Sequence, residues 1–265
     1  MHTVANEKDR ALAAVETATD RLCHVVRAAG NPEALAVGEW SIRDVAAHIA
    51  GSIPLYLPIV RGEGSTYRAL NRIAESNAAA LAEITERDCC ALADRVEAGM
   101  VELAAAARAQ PGNPDVAWHA GLPLPLLSVC ALILGELLVH GYDIARASGQ
   151  PWAIPPADAG LVFAGAAPVL PHFVNPAAAV GVRATFDVRL RGYRRAAFVF
   201  DDGSLRVLPQ PVGPVQCHLS ADPVAYLLVM YGRSDSMRQV LTGKIVAWGR
   251  KPWLGFLLPR LFRSI

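Results

Sequence analysis

Glu136 and His140 stand four residues apart in Leu134-Gly135-Glu136-Leu137-Leu138-Val139-His140-Gly141-Tyr142-Asp143, a run otherwise apolar enough for a buried helix. On a helix that spacing puts both side chains on one face, about one turn apart, where a carboxylate oxygen and an imidazole nitrogen can reach the same cation. A third donor is His48, in Trp40-Ser41-Ile42-Arg43-Asp44-Val45-Ala46-Ala47-His48-Ile49, where a polar ring again interrupts an apolar helical face. Two histidines and one carboxylate, with a position left for water or substrate, make the ligand set of a catalytic rather than a structural zinc. Nickel, iron and manganese suit the same donors. His140 alone on a Leu/Val helix reads as a core histidine, but a buried unpaired Glu136 beside it is costly, and the pair favours a cation. Asp44, four residues before His48, reads equally as an acceptor that orients its ring and as part of a helix cap. Trp40 reads as a core anchor at a bundle end, and Asp143 with Arg146 as a helix-end ion pair. His24, His119, His172 and His218 have no partner at ligand spacing and read as solvent-facing or structural.

The elements that position these groups follow from periodicity. Apolar residues recur at helical intervals over Asp9–Ala28, Ser41–Val60, Thr66–Arg108 and Leu126–Ala147, which predicts four helices. Ser41 with Asp44 predicts a capped start for the helix that holds His48, and Gly62-Glu63-Gly64 predicts its end. Short connections make this an antiparallel bundle, an architecture in which facing helices supply inward-pointing ligands. A loop-rich stretch runs from Pro151 to Asn175. Beyond it the period becomes two, with Val182, Ala184, Phe186, Val188 and Leu190 alternating with polar residues, as in a half-buried strand. Further strands are expected at Ala196–Phe200, Leu205–Leu208, Val215–Leu219 and Gly243–Gly249, with a helix over Val224–Tyr231 and a terminal amphipathic helix over Trp253–Phe262. The expected organisation is α plus α+β. Residues 1–155 form the bundle, 156–175 a linker, and 176–265 a small α+β domain on an antiparallel sheet.

Composition narrows the partners. The chain has 265 residues, 53% of them hydrophobic, enough for two modest domains. Its 25 basic and 24 acidic residues balance to +1, which gives nucleic acid no basic footprint to bind. The longest apolar run, Leu122–Gly135, is broken by Pro123 and Pro125, so no transmembrane segment is expected. Met1–Arg10 is not followed by the apolar core of a secretory leader, and a cytoplasmic location is expected. The odd count of 5 cysteines, with no CxxC pair, excludes a disulfide framework and a thiolate zinc site, and Cys89-Cys90 reads as two helix residues.

The segment Trp40–His48 followed by Glu136–Asp143 resembles the mycothiol-dependent maleylpyruvate isomerase family, whose N-terminal domain is a DinB-like four-helix bundle. The run from Asp222-Pro223 through Tyr231-Gly232-Arg233 and Gly243-Lys244-Ile245 to the end resembles the sterol-carrier-protein-2-like domain that follows in such proteins. The resemblance implies that His48, Glu136 and His140 hold a divalent metal, usually zinc, and that the open position activates the thiol of mycothiol. In a maleylpyruvate isomerase the thiolate adds to a cis double bond, the resulting single bond rotates, and elimination gives the trans isomer. The same thiolate attacking an electrophile irreversibly makes a thiol S-transferase, and the ligand set does not choose between the two. The family uses an arginine of the second domain, for which Arg183, Arg189, Arg191 and Arg233 are candidates, each also readable as solvated on the outer face of a sheet. The alternative is a lipid- or small-molecule-binding or regulatory protein with a non-catalytic metal site, since sterol-carrier-like domains enclose an apolar tunnel and Trp253–Phe262 is apolar enough to line one.

Overall fold

The computed structural model describes residues 2–263, so Met1 of the stretch weighed as a leader lies outside them. The chain divides into two compact units, 1–154 and 155–265. In the first, α1 (His2–Arg27) leads through a short hairpin, β1 (Leu35–Val37) and β2 (Trp40–Ser41), into α2 (Ile42–Arg61). There follow α3 (Ile73–Glu83), α4 (Cys89–Ala109), a second small hairpin of β3 (Asp115–Ala117) and β4 (Pro123–Pro125), and α5 (Leu126–Ser148). The helices α1, α2, α4 and α5 each pack against two of the others and bury a common core of Leu, Ile, Val and Ala. That is the bundle expected from helical periodicity.

The start of α2 is fixed by a reciprocal cap. The Asp44 amide donates to Ser41 Oγ at 3.3 Å, and the Ser41 amide donates to Asp44 Oδ2 at 3.0 Å. Such a cap contributes about 1 kcal/mol. Gly62, at φ 85°, closes the helix in the left-handed region. The third predicted helix, over Thr66–Arg108, is instead two helices, α3 and α4, with a non-helical break between them. Side chains in the break hold the backbone locally. Asp88 caps α4 by accepting from the Ala91 amide, Glu86 accepts from the Arg87 and Asp88 amides, and Arg87 donates to the Ile84 carbonyl. These bonds offer the chain an alternative to the helical ladder, which helical periodicity does not register. The helix α5 is long and apolar enough to cross a membrane, but 72% of that window is buried, because it packs against α1 and α2 in the bundle.

The second unit contains α6 (Pro156–Ala166), α7 (Pro176–Ala179), β5 (Arg183–Leu190), β6 (Arg195–Asp201), β7 (Ser204–Leu208), β8 (Cys217–Ala221), α8 (Pro223–Met230), α9 (Ser236–Leu241), β9 (Ile245–Trp248) and α10 (Leu254–Leu257). The stretch read as a loop-rich linker therefore carries a helix, and its Phe163 packs edge-on against Tyr226 in the core of this unit. An apolar helix of eleven residues opened by two prolines gives too few turns for its period to stand out from a loop. The sheet order is β7-β6-β5-β8-β9, antiparallel except that β5 and β8 run parallel. After two tight hairpins the chain crosses from β7 to the far side of β5, which reverses the direction in which it pairs. Asp202 and Gly203, at φ 47° and 89°, make the β6–β7 turn. Inward-facing Phe186, Val188, Phe198 and Phe200 form the core, as the alternation predicts. The terminal helix is shorter than predicted: α10 gives way to a 3₁₀ turn, Leu258–Leu261, where Pro259 removes an amide donor.

Candidate metal centre

Helices α2 and α5 bring the three predicted donors together. Glu136 Oε2 lies 3.5 Å from His48 Nε2 and 3.4 Å from His140 Nε2, and the three donor atoms are all within 4.8 Å of one another. Donors bound at about 2.0–2.1 Å to a tetrahedral ion stand roughly 3.4 Å apart, so both separations to Glu136 match one shared cation. The two imidazoles meet edge to face, their centroids 5.2 Å apart. Both are nearly buried, whereas Glu136 keeps 28% of its side-chain surface, so the cluster opens on the carboxylate side.

Charge at the cluster agrees with the geometry. Burial pushes the Glu136 carboxyl up, but the facing His140 and His48 rings outweigh it and hold the group well below the usual carboxylate range. Burial pulls His140 down, but Asp143 and Glu136 together raise it to about 9. Without a metal, a proton thus sits on His140 between two carboxylates, where the donor set asks for positive charge. The residues fit a divalent cation.

Asp143 takes a different partner from the one expected. It is buried, and its Oδ2 lies 3.2 Å from His140 Nδ1, so it accepts from the nitrogen facing away from the cluster and leaves Nε2 as the donor. The expected Asp143–Arg146 pair is not its contact: Arg146 donates instead to the Ala36 carbonyl at 2.8 Å. The available signal was the three-residue step from His140 to Asp143, which places both on one face of α5. Of the two readings of Asp44, the capping one describes its bonds. Trp40 is half-buried and tilts against His48 with centroids 5.0 Å apart, so it borders the cluster rather than anchoring the core. Gly141 is required beside His140, because a Cβ there would meet the Trp152 ring at 2.1 Å.

The remaining histidines divide. His24 and His172 are exposed. His119 is buried in an aromatic box, 4.7 Å from the Tyr67 ring and 4.4 Å from Trp118, with Ser65 Oγ 2.6 Å from its Nδ1. Burial takes its pKa down to about 4, so the ring is neutral at pH 7. His218 bonds to Asp187 in the second unit. The C-terminal arginines are engaged within that unit: Arg183 faces Asp201, Arg189 faces Asp187, Arg191 donates to the Gly243 and Lys244 carbonyls, and Arg233 donates to the Tyr231 carbonyl.

No curated protein matches the chain in sequence. In fold, the chain is similar to the crystal structure of the mycothiol-dependent maleylpyruvate isomerase, with a TM-score of 0.55 and 14% identity over 91% of this chain and 92% of that one. A histidine-to-alanine variant of that enzyme superposes with a TM-score of 0.56 and 13% identity, again covering 91% and 92%. The sequence profile of the mycothiol maleylpyruvate isomerase N-terminal domain matches residues 12–145, a span that takes in α2, α5 as far as Ala145, and all three candidate donors. On that match the chain belongs to the mycothiol maleylpyruvate isomerase family.

Proposed function

We propose that this protein is a metal-dependent enzyme that uses mycothiol, or a close low-molecular-weight thiol, to act on a small electrophilic substrate by cis-trans isomerisation or S-transfer. The observation that carries the reading is the convergence of His48, Glu136 and His140 on one point between α2 and α5. Family membership supports it. Residues 1–155 are assigned as the DinB-like metal-binding bundle and 176–265 as the sterol-carrier-like domain. Zinc is the preferred ion for two imidazoles and a carboxylate. When bound, the cation lowers the pKa of a coordinated thiol so that the nucleophilic thiolate is present at neutral pH.

The chain's own residues do the rest. Asp143 fixes the tautomer and orientation of His140. Glu136 supplies the single negative charge among the three donors, which leaves the loaded site net positive and attractive to an anionic sulfur. Trp40 and the buried histidine rings exclude water from one side, and the open side lies at Glu136. The near-zero net charge and five unpaired cysteines favour a cytoplasmic protein of small-molecule chemistry over a nucleic-acid partner.

Elemental analysis of the purified protein, followed by an assay with maleylpyruvate or a model electrophile with and without mycothiol, tests the reading. About one equivalent of metal and strictly thiol-dependent turnover are expected. His140→Ala should lose the metal while the bundle stays folded; retained metal in that variant would refute the ligand set. A second reading has one observation in its favour. The second unit holds an apolar pocket lined by residues that include Leu219, Tyr226, Val229, Met230, Ile245 and Phe256, and the buried Tyr226 hydroxyl has no hydrogen-bond partner among the described residues. Metal-replete protein that is inert with every thiol and copurifies with lipid would make this a binding or regulatory protein with a non-catalytic metal site.

A further inference from the structure

On the face of the second unit's sheet opposite its core, the strand register assembles a polar platform. Asp187 on β5 stands level with His218 on β8, and His218 with Trp248 on β9, so three neighbouring strands contribute one row. Arg189 on β5 pairs with Arg195 on β6 in the adjacent row. Asp187 is fully buried at the centre. Its carboxylate accepts from Arg189 Nε and Nη2 at 2.9 and 2.6 Å, and from Arg195 Nε and Nη2 at 2.7 and 3.1 Å, while His218 Nδ1 lies 2.8 Å away. Both guanidiniums keep their Nη1 edge, and His218 its Nε2, without a hydrogen bond among the described residues. The side chains of Arg189, Arg195 and His218 are 45%, 41% and 26% exposed. Trp248, itself 41% exposed, lies flat on the His218 ring at 5.3 Å and 15°. Gly249, the next residue, passes close to the same ring: a Cβ there would come within 3.3 Å of the His218 imidazole.

Folding alone does not account for this arrangement. The hydrophobic core is on the other side of the sheet, and a buried carboxylate there carries a desolvation cost that a neutral β-former would avoid. What Asp187 achieves is orientation: it pins two guanidiniums and an imidazole with their free edges outward. Of the outward-facing neighbours, Thr185, Ala197, Val199, Ser220 and Val246 carry no charge and Arg206, opposite Val199 on β7, adds a cation, so the patch is net positive.

We infer that this platform is a binding site for a planar carboxylate, gripped by Arg189, Arg195 and His218, with its flat body against Trp248 and with Asp187 as the positioning residue. Guanidinium edges match a carboxylate in plane, and an indole face prefers a flat unsaturated partner. The site is independent of the metal centre and of the thiol reading.

Benzoate is the probe, titrated into the full-length protein against cyclohexanecarboxylate, inorganic phosphate and chloride at matched ionic strength. The His218 Cε1–H and Trp248 indole N–H resonances report binding. Saturable shifts are expected with benzoate, weaker ones with the puckered ring, and none beyond the salt effect with chloride. Arg195→Gln, a change at a half-exposed residue, should weaken benzoate about tenfold. Trp248→Ala should erase the preference for the flat ring while leaving carboxylate binding. Asp187→Asn should lose both benzoate binding and the protected His218 Nδ1–H resonance, with the sheet amides unmoved. Shifts that track ionic strength, survive Arg195→Gln unchanged, or prove larger with phosphate than with benzoate overturn the site; should Asp187→Asn fail to fold, the Arg195→Gln comparison decides.

Discussion

His140 shows how one side chain's surroundings set both its charge and the ligand role we propose for it. Its pKa stands at about 9, above the unfolded value of 6.5, because Asp143 and Glu136 outweigh its burial. A raised value means that its stabilising contribution to the metal-free protein is complete below pH 6.5 and is lost as pH rises through about 9. Glu136 has the opposite sign: its depressed pKa contributes stability that is present above the ordinary carboxyl value of 4.5 and is lost as pH falls below it. The metal-free protein should therefore be most stable between these limits. A cation must displace the His140 proton, so uptake at pH 7 should release about one proton per metal and tighten tenfold per pH unit until about 9. Zinc calorimetry in buffers of different ionisation enthalpy measures this, and uptake without proton release would contradict the charge state derived for the cluster. Residue type and the four-residue spacing offered Glu136 and His140 as candidate donors, and the family resemblance added His48. Asp143 was not legible in this way, because an acidic residue near a helix end reads equally as a partner for Arg146, and only burial beside His140 separates the two.

Helix α5 must hold Glu136 and His140 on one face while something crosses it closely, and Gly141 allows that crossing. Trp152 lies over it, fixed by a hydrogen bond from its Nε1 to the Leu138 carbonyl at 3.0 Å and by Arg21, whose guanidinium stands 4.4 Å from the ring. Gly→Ala inside a helix ordinarily stabilises by about 0.5–1 kcal/mol. Here the added methyl would fall 2.1 Å from an indole carbon that cannot swing aside. Gly141→Ala should therefore destabilise by about 1–3 kcal/mol and, by moving the last turns of α5, reduce metal retention. Thermal melts and metal analysis check both, and a more stable variant with full metal would mean that Trp152 is free to move. The strands teach a related lesson. Alternation in β5 marked one buried face correctly, yet Thr185 and Asp187 on the other face are buried too, and Arg189 and Arg195 reach over to Asp187. A period of two reports which face is apolar and says nothing of how far arginines reach.

Two compact units with separate cores predict separable unfolding. A ligand that binds only the folded bundle stabilises it by RT ln(1 + [L]/Kd), about 4 kcal/mol when the free metal is a thousandfold above Kd. Removing the metal with a chelator should lower the melting transition of the first unit and leave that of the second unchanged, as read by calorimetry with His140→Ala as the unit-specific control. A chelator that shifts both transitions, or neither, would place the cation elsewhere. By itself the sequence determined the helices of the bundle and the strands, and it offered three candidate donors, because helical period, strand alternation and polar residues on apolar faces are local properties carried by residue type and spacing. Tertiary structure alone decided that His48 meets Glu136 across 88 positions of chain at 3.5 Å, that Asp143 turns His140, and that β8 joins β5 in parallel to build the Asp187 platform. These are encounters between distant segments, fixed by how the helices pack and by which strand edge the returning chain finds, and no local pattern encodes them.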